Sequence, residues 1–192
     1  MEFIRIIPKI DIKNENVIKG IQFEGLRKVG NPNNLAKKYF NDGADQIIVI
    51  DIVASLYDRD NLYSTLDTLT EDIFIPITAG GGIRSLNDAK KLLLAGADRV
   101  SINTAALEDP NIIDRFNKVF GDQFLSVTIE AKKLDGEFYC MKNHGRDNSE
   151  IKVVDWIEEL KKKSISEIIL ISIDKDGLQE GPDYELLKKI NE

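Results

Sequence analysis

The chain has 192 residues, 42% of them hydrophobic, with one cysteine and a formal net charge of -7. This is enough apolar content to build one domain around a sizeable core, and the acidic balance argues against a nucleic-acid or anionic-membrane partner. Cys140, standing alone, excludes an internal disulfide and reads as a partly buried bystander in a reducing compartment.

In chain order, the N-terminal Met1-Glu2-Phe3-Ile4-Arg5 has no signal-peptide pattern. No apolar run reaches bilayer-spanning length, so a soluble, cytoplasmic protein is expected. An Ile-rich run at 4–12 predicts the first strand, and Asn31-Pro32 predicts a helix start closed near Gly43. A strand at 46–52, a helix at 62–69 and a strand at 75–78 follow. Ser85 opens a helix that Gly96 closes, after which 99–102 is a strand. Asp109-Pro110 opens the next helix, ending at Gly121, before strands at 125–131 and 167–173. Helices around Trp156 and around Tyr184 and Leu187 complete the series. Strands of this kind, without polar alternation, suit parallel pairing with both faces buried. Six βα units therefore predict an α/β fold.

The segment 43–51 resembles 166–174, and 10–13 resembles 129–132, and in both comparisons an acid is expected at the C-terminal end of a strand. Such a half-repeat is what a (β/α)₈ TIM barrel would leave, with the strand ends facing its active site. That barrel typically takes about 250 residues, so this reading expects a single domain over 1–192, truncated before the seventh strand.

Two features carry chemistry. Gly80-Gly81-Gly82 follows one strand, and Asn103-Thr104 follows the next. Turns of this type free backbone N–H groups for an anion such as phosphate; as a bland alternative, the glycines only make tight turns. Asp11 and Glu130 are a candidate acid–base pair. Alternatively, Asp11 caps a loop and Glu130 pairs with Lys132 or Lys133. Asp51, Asp174 and Asp176 add carboxylates at strand ends, but no histidine is interleaved, and no metal or cofactor is expected. His144 reads as a solvated loop residue, Trp156 as a packing residue, and Lys161-Lys162-Lys163 as a solvated helix end.

Ile6-Ile7-Pro8 with Asp11, Lys19-Gly20, Phe23-Glu24-Gly25-Leu26-Arg27, the glycines 80–82, the run 100–106 and Ser172-Ile173-Asp174-Lys175-Asp176-Gly177 resemble HisF, the cyclase subunit of imidazole glycerol phosphate synthase. The match runs along essentially the whole chain; the related isomerase HisA is a poorer match in the first loop. The resemblance implies a TIM barrel and a HisH-like glutaminase partner in a heterodimer, with ammonia passing through the barrel to a phosphorylated substrate. It assigns Asp11 and Glu130 to acid–base catalysis, and Lys19 and Phe23 to a loop over the substrate. Substrate or phosphate contacts fall to Asp51, Gly81, Gly82, Asn103, Thr104, Asp174, Asp176 and Gly177. Arg5, Gln46, Arg99 and Glu167 fall at the ammonia entrance.

The chain departs from the family at three places. Glu130 stands where the family has Asp, Gln46 and Arg99 replace Glu and Lys, and Lys9 stands at a small-residue position, with Glu130 as one possible partner. These departures leave two other readings open: a HisF-like subunit delivering ammonia for amidation of a surface sugar, and an inactive glutaminase-binding scaffold.

Overall fold

The computed structural model describes residues 4–54 and 60–191; Met1–Phe3, part of the N-terminal segment read for a leader, lie outside the described residues. The described residues form ten strands and seven α-helices in an α/β arrangement whose strands are mostly parallel. By contact density the chain divides into two compact units, Met1–Ile18 with Arg27–Ser101, and Lys19–Leu26 with Ile102–Glu192.

In the first unit β1 (Lys9–Lys13) is parallel to β4 (Ile47–Asp51), with Lys9 opposite Ile48 and Asp11 opposite Ile50. β4 is parallel to β5 (Ile77–Gly80), and β5 to β6 (Arg99–Ile102). Ile10-Asp11-Ile12, Ile47-Ile48-Val49, Ile77-Thr78-Ala79 and Val100-Ser101 are all buried. Because neighbours along a strand point to opposite faces, such unbroken burial means that both faces are covered.

The helices start where the sequence punctuates them. α1 (Pro32–Asn41) is capped by Asn31, whose side chain accepts from the Asn33 and Asn34 N–H groups at 3.0 and 3.2 Å. α2 (Asp60–Asp72) buries Leu62, Leu66 and Leu69 on one stripe. In α3 (Leu86–Leu94), Ser85 and Asp88 form a reciprocal capping box.

The second unit is built on β7 (Leu125–Leu134), ten residues long, with β10 (Glu167–Ser172) parallel to it. α4 (Thr104–Glu108) and α5 (Asn111–Phe120) precede β7, and α5 buries Ile112, Ile113 and Phe116. α6 (Val153–Leu160) buries Trp156, a packing residue, and α7 (Tyr184–Asn191) follows β10. Each lysine of 161–163 carries an acid: Glu158, Glu159 and Asp114 respectively.

All six predicted strand segments overlap strands, although the first, predicted over 4–12, begins only at Lys9, and two antiparallel additions were not anticipated. β2 (Asn16–Ile21) pairs antiparallel with β1 and leads to β3 (Glu24–Gly30). Between them Gln22 and Phe23 both take positive φ, 52° and 66°. The second addition continues β7 into β8 (Glu137–Lys142) and β9 (Asp147–Lys152), again antiparallel. Its turns use Asp135-Gly136 and then Asn143, His144 and Gly145, all at positive φ. Paired left-handed residues match the twist of a tight hairpin, and only the second turn of this group carries side chains that reach the site. Among the described residues no helix is long and apolar enough to cross a membrane.

Candidate functional site

In the first unit Asp11 lies on β1, buried at 8% exposure, and Lys9, two residues earlier on the same strand face, donates to its Oδ1. Lys9 therefore gives one of its N–H donors to Asp11. Asp51, at the end of β4, accepts from the Val53 N–H at 2.9 Å and so turns the chain after the strand. Gly81 packs directly over it: a Cβ there would sit 2.1 Å from the Asp51 carbonyl oxygen, and its φ is +113°. No L side chain fits that position, so the glycine run meets a close-packing demand whatever else it binds.

Three of the four residues expected at the ammonia entrance meet in this unit. Gln46 is buried, and its Oε1 accepts from Arg99 Nη1 at 3.3 Å and from Arg5 Nη1 at 3.5 Å. Its Nε2 donates to Thr78 Oγ1 at 2.8 Å. One neutral amide thus serves two guanidinium groups and one hydroxyl. The fourth residue, Glu167, begins β10 in the second unit.

In the second unit the β2–β3 tip is tied down by the segment after β10. Lys19 Nζ donates to Asp176 Oδ1. The Gln22 N–H donates to the Asp176 carbonyl and Gln22 Nε2 to the Asp174 carbonyl, both at 2.9 Å. Asp174 Oδ2 in turn accepts from the Lys133 N–H at 2.7 Å. Gly177 lies against Gly20, where an added Cβ would be 2.3 Å from the Gly20 carbonyl oxygen. Lys19, Asp174, Asp176 and Gly177 are thus brought together by one hairpin tip.

Glu130 is buried on β7. Neither Lys132 nor Lys133 is its partner; Lys133 reaches Glu185. Glu130 Oε2 accepts from the Gly145 N–H at 3.1 Å, and Oε1 faces His144 Nδ1 at 3.6 Å. His144 corrects the sequence reading outright: its side chain is 12% exposed, and its ring stacks on Phe23 at 4.2 Å between centroids, 2° from parallel. A histidine after a polar turn looks solvated only while the approach of a distant phenylalanine is unknown.

Asn103 and Thr104 hold the same β8–β9 turn. Asn103 Nδ2 donates to the Met141 carbonyl at 3.0 Å, and Thr104 Oγ1 accepts from the Asn143 N–H at 2.9 Å. One of the two side-chain N–H donors of Asn103 is therefore used inside the protein. Cys140 is fully buried, and burial pushes its thiol up to about 12. A thiol so rarely ionised is no nucleophile. Among the described residues no three His, Cys, Asp or Glu side chains group as a metal site.

Residues 5–192 match the family described as Histidine biosynthesis protein. The chain is 47% identical over 192 residues to the imidazole glycerol phosphate synthase subunit HisF of Legionella pneumophila, covering all of this chain and 91% of that one. The chain belongs to the histidine biosynthesis protein family. The same subunit of Natranaerobius thermophilus is 40% identical over 186 residues, covering 97% of this chain and 74% of the relative. That of Campylobacter concisus is 41% identical over 184 residues, covering 96% and 73%. Within this histidine biosynthesis protein, the sequence reading set both acids at strand ends, whereas Asp11 and Glu130 lie mid-strand in β1 and β7, and it missed the ring beside Glu130. The available signal was Asn143-His144-Gly145, a turn sequence that already hinted at a hairpin.

Proposed function

We propose that the chain is the cyclase subunit of a glutamine-dependent imidazole glycerol phosphate synthase, acting in histidine biosynthesis in the cytoplasm. The observation that carries this is 47% identity over the full chain to a subunit of that name. Its fold is a single TIM-barrel domain of the (β/α)₈ type, with six βα units within residues 1–192. A HisH-like glutaminase supplies ammonia, which enters past Arg5, Gln46, Arg99 and Glu167. Ammonia then reacts with a phosphoribulosyl-formimino aminoimidazole carboxamide ribotide. Imidazole glycerol phosphate and an aminoimidazole carboxamide ribotide are released.

Asp11 serves as general acid/base, and Glu130 is the second acid. The hydrogen bond from Lys9 fixes the Asp11 carboxylate, and the Gly145 N–H fixes that of Glu130; an acid–base group works only when its oxygen is held within reach of the proton. The backbone around Gly81, Gly82, Asn103 and Thr104 takes one phosphate, and the segment Asp174–Gly177 with Lys19 borders the other end of the substrate. Asp51 shapes the first of these loops. The relatives named above all carry the HisF name, and none favours the sugar-amidation or scaffold readings.

The test is turnover of the formimino ribotide by the purified chain with an ammonium salt in place of the glutaminase. Release of imidazole glycerol phosphate, abolished by Asp11→Asn with the fold intact, is the expected result. A folded protein that releases none, or an Asp11→Asn variant of full activity, overturns the assignment.

A further inference from the structure

The ring of His144 is stacked on one face by Phe23 and has one carboxylate in front of it. Its backbone takes φ 57°, in a turn anchored by the Asn143 N–H on Thr104 Oγ1 and by Asn143 Nδ2 on Asp147 Oδ2 at 2.6 Å. The turn delivers both groups that meet Glu130: the Gly145 N–H at Oε2 and the imidazole at Oε1. The imidazole cannot swing away from this place, because Phe23 lies parallel to it at 4.2 Å and both side chains of the His144–Glu130 pair are about nine-tenths buried. Phe23 itself sits on a hairpin tip bound by Lys19 and Gln22 to Asp176 and Asp174.

A buried carboxylate needs each oxygen served. The Gly145 N–H fixes only one, leaving rotation about the last bond of the longer Glu side chain to be settled by what stands at the other. At 3.6 Å His144 Nδ1 is beyond hydrogen-bond length, as such contacts often are before substrate tightens a site.

We propose that His144 is the positioning residue of Glu130: its imidazole, oriented by the Phe23 ring, sets where Oε1 stands when Glu130 exchanges a proton with the substrate. The role rests on the cyclase reading for its kinetic consequence but not for its geometry. It also makes the β2–β3 tip part of the acid's environment, since the aromatic face stacked on His144 comes from that tip.

His144 is the one histidine in the chain, so its imidazole signals need no assignment by mutation. In two-bond proton–nitrogen spectra the ring protons are expected upfield, under the Phe23 ring current. Phe23→Leu removes that shift, and Glu130→Gln moves the Nδ1 resonance while leaving the ring-current shift. Ring protons at unfolded-peptide positions, or an Nδ1 signal indifferent to Glu130→Gln, overturn the proposal even for a protein that turns over no formimino ribotide.

The kinetic arm compares His144→Gly with His144→Asn, since both residues tolerate the left-handed backbone and Asn keeps an N–H donor near Nδ1. His144→Gly is expected to lower kcat by about 10- to 100-fold, the range for a misplaced catalytic group, with KM nearly unchanged. His144→Asn restores most of it. In a Glu130→Asp background, where the shorter acid no longer reaches the ring, His144→Gly costs much less, which is the coupling expected of residues acting as one unit. Wild-type kcat in His144→Gly, or the same loss in both backgrounds, overturns it. Failure of the parent chain to turn over removes the cyclase reading and leaves the spectra to decide.

Discussion

Gly177→Ala tests the contact that ties the β2–β3 tip to the segment after β10. Gly177 has φ +78°, and a Cβ there would lie 2.3 Å from the Gly20 carbonyl oxygen and 3.2 Å from Ile21 Cα. Gly181 offers a control, because its φ is +85° and nothing lies within 4 Å of its Cβ position. Each substitution carries about 1–2 kcal/mol of left-handed strain, so the difference between the two isolates the clash. To reach the 3.0 Å below which Cβ contacts are not found, the tip must retreat by about 0.7 Å from its 2.3 Å approach. That stretches the Gln22 N–H bond to Asp176 past its useful range and loosens the Gln22 side-chain bond to Asp174 and the Lys19 pair. At about 0.5–1.5 kcal/mol for each neutral bond, and less for the partly exposed ion pair, the added loss is about 1–3 kcal/mol, concentrated in the tip. Limited trypsin digestion reads this directly, since Lys19 and Arg27 flank the tip. Cleavage there should accelerate about 5- to 100-fold in Gly177→Ala relative to Gly181→Ala. Equal cleavage rates in the two variants would refute the reasoning.

Cys140 should resist thiol reagents in the native state. At pH 8 an exposed thiol of pKa ~8.5 is about a quarter ionised, whereas one at about 12 is about one part in ten thousand, a slowing of over a thousandfold; prompt stoichiometric labelling would contradict its burial. The same raised pKa makes stability from this group complete below the unfolded thiol's pKa, and lost as pH rises from there towards about 12. Urea titrations at rising pH should therefore show a fall that Cys140→Ala lacks. Gln46→Leu takes a shared acceptor from Arg5 and Arg99 and a partner from Thr78, and should cost about 2–4 kcal/mol. Gln46→Glu should cost under about 1 kcal/mol, because the Thr78 hydroxyl can turn to donate to the carboxylate. Denaturation midpoints ranking the two the other way would reject this account. Phe116→Ala, removing a 1%-exposed ring from α5, should cost about 3–5 kcal/mol by the same titration.

The local signals were strong where the chemistry is local. Asn31 with Pro32 and Ser85 with Asp88 each satisfy helix N–H groups within a few residues, so the caps can be read without knowing the fold. An apolar run such as 47–49 has no polar face to present, and it lies buried in a strand. Asp11 stands in the middle of β1 and Glu130 in the middle of β7, not at the strand ends the sequence suggested, because each strand runs on past its acid into an antiparallel hairpin that no apolar run marks. The β8–β9 hairpin was harder: its outer strand, Asp147–Lys152, is polar and mostly not buried, so it carries no alternation to detect.

What the sequence determined alone was the alternation of strand and helix, the family, and which carboxylates lie on or just after the strands. Tertiary structure decided whom they meet. Lys9 and Asp11 are close because a strand repeats every two residues, yet that Lys9 donates to Asp11 is settled only by the side-chain packing around them. Phe23 and His144 are 121 positions apart by their numbering, and their parallel stack exists only because one hairpin tip is bound to Asp174 and Asp176. Side-chain partners at that separation are fixed by the fold's geometry, and no local pattern in the chain encodes them.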